Sequence, residues 1–306
     1  MRLLDRIAAP LLARELAFPE VDFTAPKGEP AIVPPDSISW RVFSNPVALY
    51  VGGVAAVLLE LGEPRVRTGV WQFSSFREQP RERMRRTGLG AMITVFGARS
   101  QFEAYAAYVN GLHAEVAGTT EAGRHFRASD PELLLWVQAT AAFAFSEAYC
   151  RFVHPLGDAE RDLFYAEAAI GARLYGVAEP PGSAAALAGL FARFGEALEP
   201  SRALGEFLHI MRTAPLLPGP LRPLQRLITR AAIDLLPGEL RARIGLAGER
   251  GLGRAERALL RAAARAVAGV HVAQAPWAQA CRRLGLPADY LSRPAARPAS
   301  SARLRS

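Results

Sequence analysis

The stretch DPELLLWVQATAAFAFSEAY, residues 130–149, decides the fold. It opens with the strongest helix-start signal in the chain. Asp130 can cap, and Pro131 suits the first helical position because its missing N–H would be unpaired there anyway. Glu132 favours the positive end of the helix dipole. From Leu133 to Ser146 no charge interrupts the run. Those fourteen residues fall short of the roughly 20 that span a bilayer, and they include Gln138 and Thr140. The reading is a central, buried helix with Trp136 and Phe143 in the core.

Working outward, the same periodicity recurs. Residues 47–61 read as a buried helix with a Gly52–Gly53 pair, which allows another backbone or a ligand to approach closely; Pro64 ends it. Its charge-free run from Pro46 to Leu59 is again too short to span a bilayer. Pro80 opens a strongly charged turn, RERMRRT, that continues into GLGAMITVFG with Gly97 as the stop. Such a helix has one end near solvent or a polar pocket and the rest in the core. Residues 100–117 place Phe102, Tyr105, Val109, His113 and Val116 on one helical face. Further helices are expected over 158–175, 184–198, 201–213, 219–236 and 253–269. The GLGRAE of 251–256 follows no strand and reads as a helix approach. No convincing strand alternation or internal repeat is present. The expected architecture is all-α: an extended lead-in over 1–46, Pro-rich from residue 17, a helical domain over 47–290, and a disordered basic tail over 291–306.

The composition constrains function less than its totals suggest. The chain has 306 residues, 50% hydrophobic and 22% charged, with a formal net charge of +8. Six of its 37 basic residues, against Asp289 alone, fall in 281–306, so +5 lies in the tail. The other 280 residues carry 31 basic and 28 acidic groups, a net of +3. A nearly neutral body argues against a nucleic-acid partner. Cys150 and Cys281 lie far apart with no CxxC, which suits a reducing cytoplasm. The N-terminus lacks an uninterrupted apolar run between Arg6 and Arg14 long enough for a signal peptide.

HExxH, Walker and GxSxG motifs are absent, and no two of the five histidines (His113, His125, His154, His209, His271) stand at i, i+4. A zinc site cannot be built locally from them, whereas a haem needs only one axial histidine. Of the five, His113 lies on an apolar helical face, while His125 and His154 read as exposed.

Several blocks together resemble one family. They are PPDSISWRVF (34–43), GGVAAVLLELGEPRV (52–66), RMRRT (83–87), VFG (95–97), VNGLHAEVAG (109–118), ASDPELLLWVQAT (128–140) and PLGDAERDLFYAEA (155–168). In order and spacing they resemble the MpaB/latex-clearing-protein family, the rubber-oxygenase catalytic domain, over roughly 34–235. The resemblance implies a single globin-like helical domain that holds b-type haem and cleaves carbon–carbon double bonds of hydrophobic isoprenoids with dioxygen. It implies His113 as the haem-iron ligand and Arg83, Arg86 and Thr87 as the distal R-x-x-[KR]-T group. Three family histidines are replaced, by Glu63, Gln72 and Gln138; Gln138 remains a candidate to hydrogen-bond the cofactor. Arg86 stands where the rubber-cleaving branch has Lys, and an Arg cannot titrate to neutral.

On a helix, Arg83, Arg86 and Thr87 share a face and can project into one pocket, the guanidinium groups pairing propionates and the hydroxyl donating to an iron-bound oxygen species. Glu60 and Glu63 are read as structural ion-pair partners for these arginines. Two other readings stay open at this point: a haem-free enzyme working through Glu60, Glu63 and Arg83, and a non-catalytic lipid- or isoprenoid-binding protein. In the second, the basic tail makes peripheral membrane contact.

Overall fold

In the computed structural model, which describes residues 3–287 and 289–292, fourteen α-helices carry the fold, and the architecture is all-α. Two helices form its axis: α3 (Pro46–Glu60) and α7 (Pro131–Phe152). α7 is the quoted stretch. It is the one helix among the described residues that is long and apolar enough to cross a membrane, yet it packs against α3 and buries Trp136, Ala139, Thr140 and Ala144. Burial of such a helix on protein satisfies the same hydrophobic requirement that a bilayer would.

The glycine pair of α3 divides its labour. A Cβ on Gly52 would stand 2.7 Å from Phe145 Cδ1 and 3.0 Å from both Phe145 Cα and Ala144 O, so α7 crosses α3 in backbone contact there. A Cβ on Gly53 would meet nothing within 4 Å. Gly52→Ala is therefore expected to destabilise the protein by about 1–3 kcal/mol through overpacking. Gly53→Ala should stabilise it by about 0.5–1 kcal/mol, because glycine is the poorer residue in a helix interior. Urea unfolding of the two variants beside the wild type checks both signs.

Before α7 in the chain come α2 (Ile38–Phe43), α4 (Pro64–Phe73), α5 (Pro80–Phe96) and α6 (Arg99–Ala114). After it come α8 (Asp158–Leu174), α9 (Ala184–Gly195), α10 (Arg202–Thr213), α11 (Arg222–Leu235), α12 (Gly238–Arg243) and α13 (Arg254–Ala268), and α2 and α6 both pack on α8. Gly253 caps α13, the helix that GLGRAE approaches.

Several expectations need correcting. The segment read as an extended lead-in contains two helices, α1 (Leu3–Leu16) and α2. Between them residues 17–37 hold no helix, yet Phe18, Phe23, Ala31 and Val33 are buried with Trp40, Phe96 and Phe102 in a second apolar cluster. Arg283, on the unanticipated helix α14 (Pro276–Arg283), ties this segment down by donating to the carbonyls of Phe23 (2.9 Å) and Glu29 (2.8 Å). Asp130 does not cap α7 through its side chain; its Oδ2 accepts from Arg127 N at 3.0 Å and closes a short hairpin instead. That hairpin, β1 (Ala117–Thr119) with β2 (His125–Arg127), has strands too short for any alternation to register, and it ends α6 before Val116. Pro64 opens α4 rather than merely stopping α3. The basic tail lies outside the described residues from Arg293 onward.

Candidate functional site

α5 sorts its arginines by helical position. Arg81 and Arg85 turn outward: Arg81 pairs with Glu15 of α1 at 2.9 Å, and Arg85 forks onto Glu20 (2.6 and 2.8 Å) and over the Phe18 ring. Arg86 is exposed and donates to Ser75 Oγ at 2.7 Å, in the loop after α4. Arg83 lies at the i−4 position from Thr87 and bonds it in both directions. Its guanidinium donates to Thr87 Oγ1, and that hydroxyl donates back to the Arg83 carbonyl at 2.9 Å.

Arg83 is turned into the protein. Burial pulls its pKa down, the charge of Glu60 pushes it back up, and the neighbouring Arg86 pulls it down again. Glu60 is the last residue of α3. Desolvation raises its carboxyl to about 7, against the opposing pull of the Arg83 charge and the nearby Thr140 hydroxyl. A carboxyl of this kind holds its proton at mildly acidic pH and releases it near neutrality. Tyr105 of α6 joins the group: its hydroxyl occupies the notch left by Gly90, where a Cβ would come within 2.7 Å, and burial raises its pKa.

His113 stands in the last turn of α6, half-buried and close enough to this cluster to feel the Arg83 charge. Its Nδ1 is sealed from solvent with no hydrogen-bond partner, and no protein group bonds either ring nitrogen among the described residues. Burial, assisted by the positive charge of Arg83, lowers its pKa and favours the neutral imidazole. His125, His154, His209 and His271 are all exposed. On α7, Val137 is 37% exposed although Trp136 and Ala139 beside it are 0% exposed, and Thr140 is buried behind it.

Not every sequence candidate reaches this cluster. Gln138 turns to α8, where its amide donates weakly to the Ala168 carbonyl at 3.4 Å. Glu63, expected to pair Arg83 or Arg86, is fully buried elsewhere: it caps α4 by accepting from Arg65 N (2.7 Å) and Val66 N (2.9 Å), and it pairs Arg65 Nε at 2.7 Å. Gln72 is exposed. Glu60 is legible in the sequence as an ion-pair partner or, in the haem-free alternative, as a working carboxylate; no sequence signal marks a buried carboxyl raised to about 7. Tyr105 was visible as a neighbour of His113 on one helical face, without a role.

Among the described residues no three His, Cys, Asp or Glu side chains converge to hold a bare metal ion. A protein-only metal centre would need about four such ligands, whereas a haem iron takes one from the protein. His113, neutral and without a protein partner, fits that single-ligand requirement.

Comparison with known proteins bears on the same residues. The family model described as "ER-bound oxygenase mpaB/B'/Rubber oxygenase, catalytic domain" matches residues 40–269. No match was found among curated proteins or among solved structures. The matched span contains Glu60, Arg83, Arg86, Thr87, Tyr105, His113 and Thr140. The chain belongs to this family of oxygenases, and the protein is an oxidoreductase.

Proposed function

We propose that this oxygenase binds one b-type haem through His113 and oxidises a small hydrophobic substrate, isoprenoid- or alkene-like, with dioxygen. The observation that carries the reading is the half-buried imidazole with no protein partner on either nitrogen. A buried polar atom left unpaired costs about 1–3 kcal/mol, and a ligand held by this imidazole would offset that cost. Bound haem would supply an iron at which dioxygen is activated.

The chain's own residues divide the remaining work. His113 offers a neutral nitrogen lone pair, kept neutral by burial and by the Arg83 charge. Arg83 and Arg86 present two permanent positive charges near one another, suited to carboxylates of a cofactor. Thr87 keeps its hydroxyl on Arg83 and fixes that guanidinium. Glu60 holds a proton that it can exchange near pH 7. The apolar face of α3 that ends at Glu60 provides an uncharged wall for an apolar substrate. Cys150 and Cys281 are both free, in keeping with a reducing cytoplasm as the compartment.

Titration of the purified protein with haemin should raise a Soret band that saturates at about one equivalent, as one axial histidine requires. A protein that remains colourless throughout the titration overturns the haem reading.

A further inference from the structure

We propose that an apolar substrate chain reaches this site along one face of α3, entering from a cavity beside α1, with Gly53 as the point of clearance. The proposal rests on the reading of an oxygenase with an apolar substrate.

The face is set by helical spacing. Leu49, Tyr50, Gly53, Val57 and Glu60 fall on one side of α3 and are all only partly buried. The residues between them, Val51, Gly52, Val54, Ala55, Leu58 and Leu59, are buried against the surrounding helices. Leu49, Tyr50 and Val57 pack against the two apolar clusters, yet all five positions of the stripe stay partly exposed along the length of this strongly apolar helix. Gly53 lies at the middle of that stripe. Gly52 is required by the approach of Phe145, but no protein atom comes within 4 Å of where a Gly53 Cβ would stand. The middle of the stripe is therefore clear of this chain's own atoms, which leaves room for the close passage of a ligand.

The two ends of the stripe differ in chemistry. Glu60 at the inner end faces Arg83 and the His113 cluster. Tyr50 at the outer end has a buried hydroxyl without a partner, and it feels the charges of Glu15 and Arg81. Both of those residues line a cavity of about 790 Å³ between α1, the first turn of α5 and the loop around Leu216. Ten helical residues separate Tyr50 from Glu60, a path of about 15 Å. Between them the stripe carries no charge, so it admits an uncharged chain and leaves any polar head group at the mouth, where Arg14, Arg81 and Arg222 stand among acidic residues.

The test uses the full chain and farnesol, a linear isoprenoid alcohol, as the probe. Binding is followed by calorimetry for the wild type, Gly53→Ala, Gly53→Leu and Val57→Phe, while haemin uptake by each is read separately from the Soret band. Gly53→Leu and Val57→Phe are expected to weaken farnesol binding by at least about tenfold, with Gly53→Ala close to wild type and the Soret band unchanged in all four. Two obstructions at different heights guard against one variant failing to fold, which circular dichroism detects. Equal farnesol affinity in the wild type and both obstructed variants overturns the path, as does a wild type that takes up no farnesol. Absent haemin uptake, with farnesol binding still lost in Gly53→Leu, overturns the haem assignment and leaves the path standing.

Discussion

His113→Ala should yield a folded protein that no longer retains haem, with affinity lower by more than about 100-fold. Loss of a residue that merely supports a metal ligand costs roughly 10- to 100-fold in affinity, and loss of the ligand itself must exceed that. The folded state should barely notice the change. His113 is half-buried and makes no side-chain hydrogen bond, so alanine removes no polar contact from the protein. It also removes a sealed, unpartnered nitrogen, which offsets the lost packing; the net change in stability is expected within about 1 kcal/mol. Thermal melting by circular dichroism and haemin titration by absorbance therefore separate the two effects. Added imidazole, which can fill the space left by the side chain, should restore part of the Soret band. An unchanged Soret band in His113→Ala would move the haem ligand elsewhere.

The second large effect concerns Glu60 and has a definite pH dependence. Its carboxyl titrates near 7 in the folded protein against 4.5 for an ordinary glutamate. Below about pH 4.5 both folded and unfolded chains hold the proton, and Glu60 contributes no pH dependence. As pH rises from there toward 7, the unfolded chain loses its proton first. The folded state then binds more protons than the unfolded state, and stability falls. Above 7 the full cost is present, about 3 kcal/mol for a displacement of this size. Glu60→Gln carries no such charge. Relative to wild type it should gain about 3 kcal/mol at pH 9, with the difference vanishing near pH 4. Urea unfolding at several pH values measures this, and a difference that does not vary with pH would refute the burial of an ionisable Glu60. Arg83 lowers the cost by favouring the charged carboxylate, so Arg83→Met should raise the Glu60 pKa further and steepen the wild-type trend.

The helices that were legible are those whose signals are local. Pro131 and Glu132, the apolar run behind them, and the Pro80 and Ser201 starts are read within a single turn, and each marks a helix in the structure. The elements that were not legible depend on partners remote in sequence. α2 is held by Glu167 of α8, whose carboxylate accepts from Ile38 N (3.1 Å), Ser39 N (2.8 Å) and Ser39 Oγ (2.7 Å). Ser37 caps the helix locally by accepting from Trp40 N at 3.2 Å, but the Glu167 carboxylate that anchors its first turn lies more than a hundred positions away. The Pro-rich stretch after α1 cannot form a ladder, but it still buries Phe18, Phe23 and Val33, because apolar side chains gain from leaving water whatever their backbone does.

The same division runs through the site. Periodicity put His113 on an apolar helical face, and the family resemblance singled it out together with the Arg83–Arg86–Thr87 turn, because helical spacing and motif order are properties of one segment at a time. Whether a carboxylate one helix away along the chain comes near a given arginine is a property of packing. Glu60 and Glu63 look equivalent in LELGEP, yet Glu60 ends its helix facing Arg83 while Glu63 begins the next one capping its own backbone. Desolvation, which sets the Glu60 and His113 proton affinities, depends on how completely neighbours exclude water and has no signature in composition. The sequence by itself determined an all-α chain built on the 130–149 helix and named the imidazole and the arginines. Only the tertiary structure decided which carboxylate lies within the field of Arg83, which glycine faces packed backbone and which faces open space, because burial and contact are made between segments that the chain brings together only when folded.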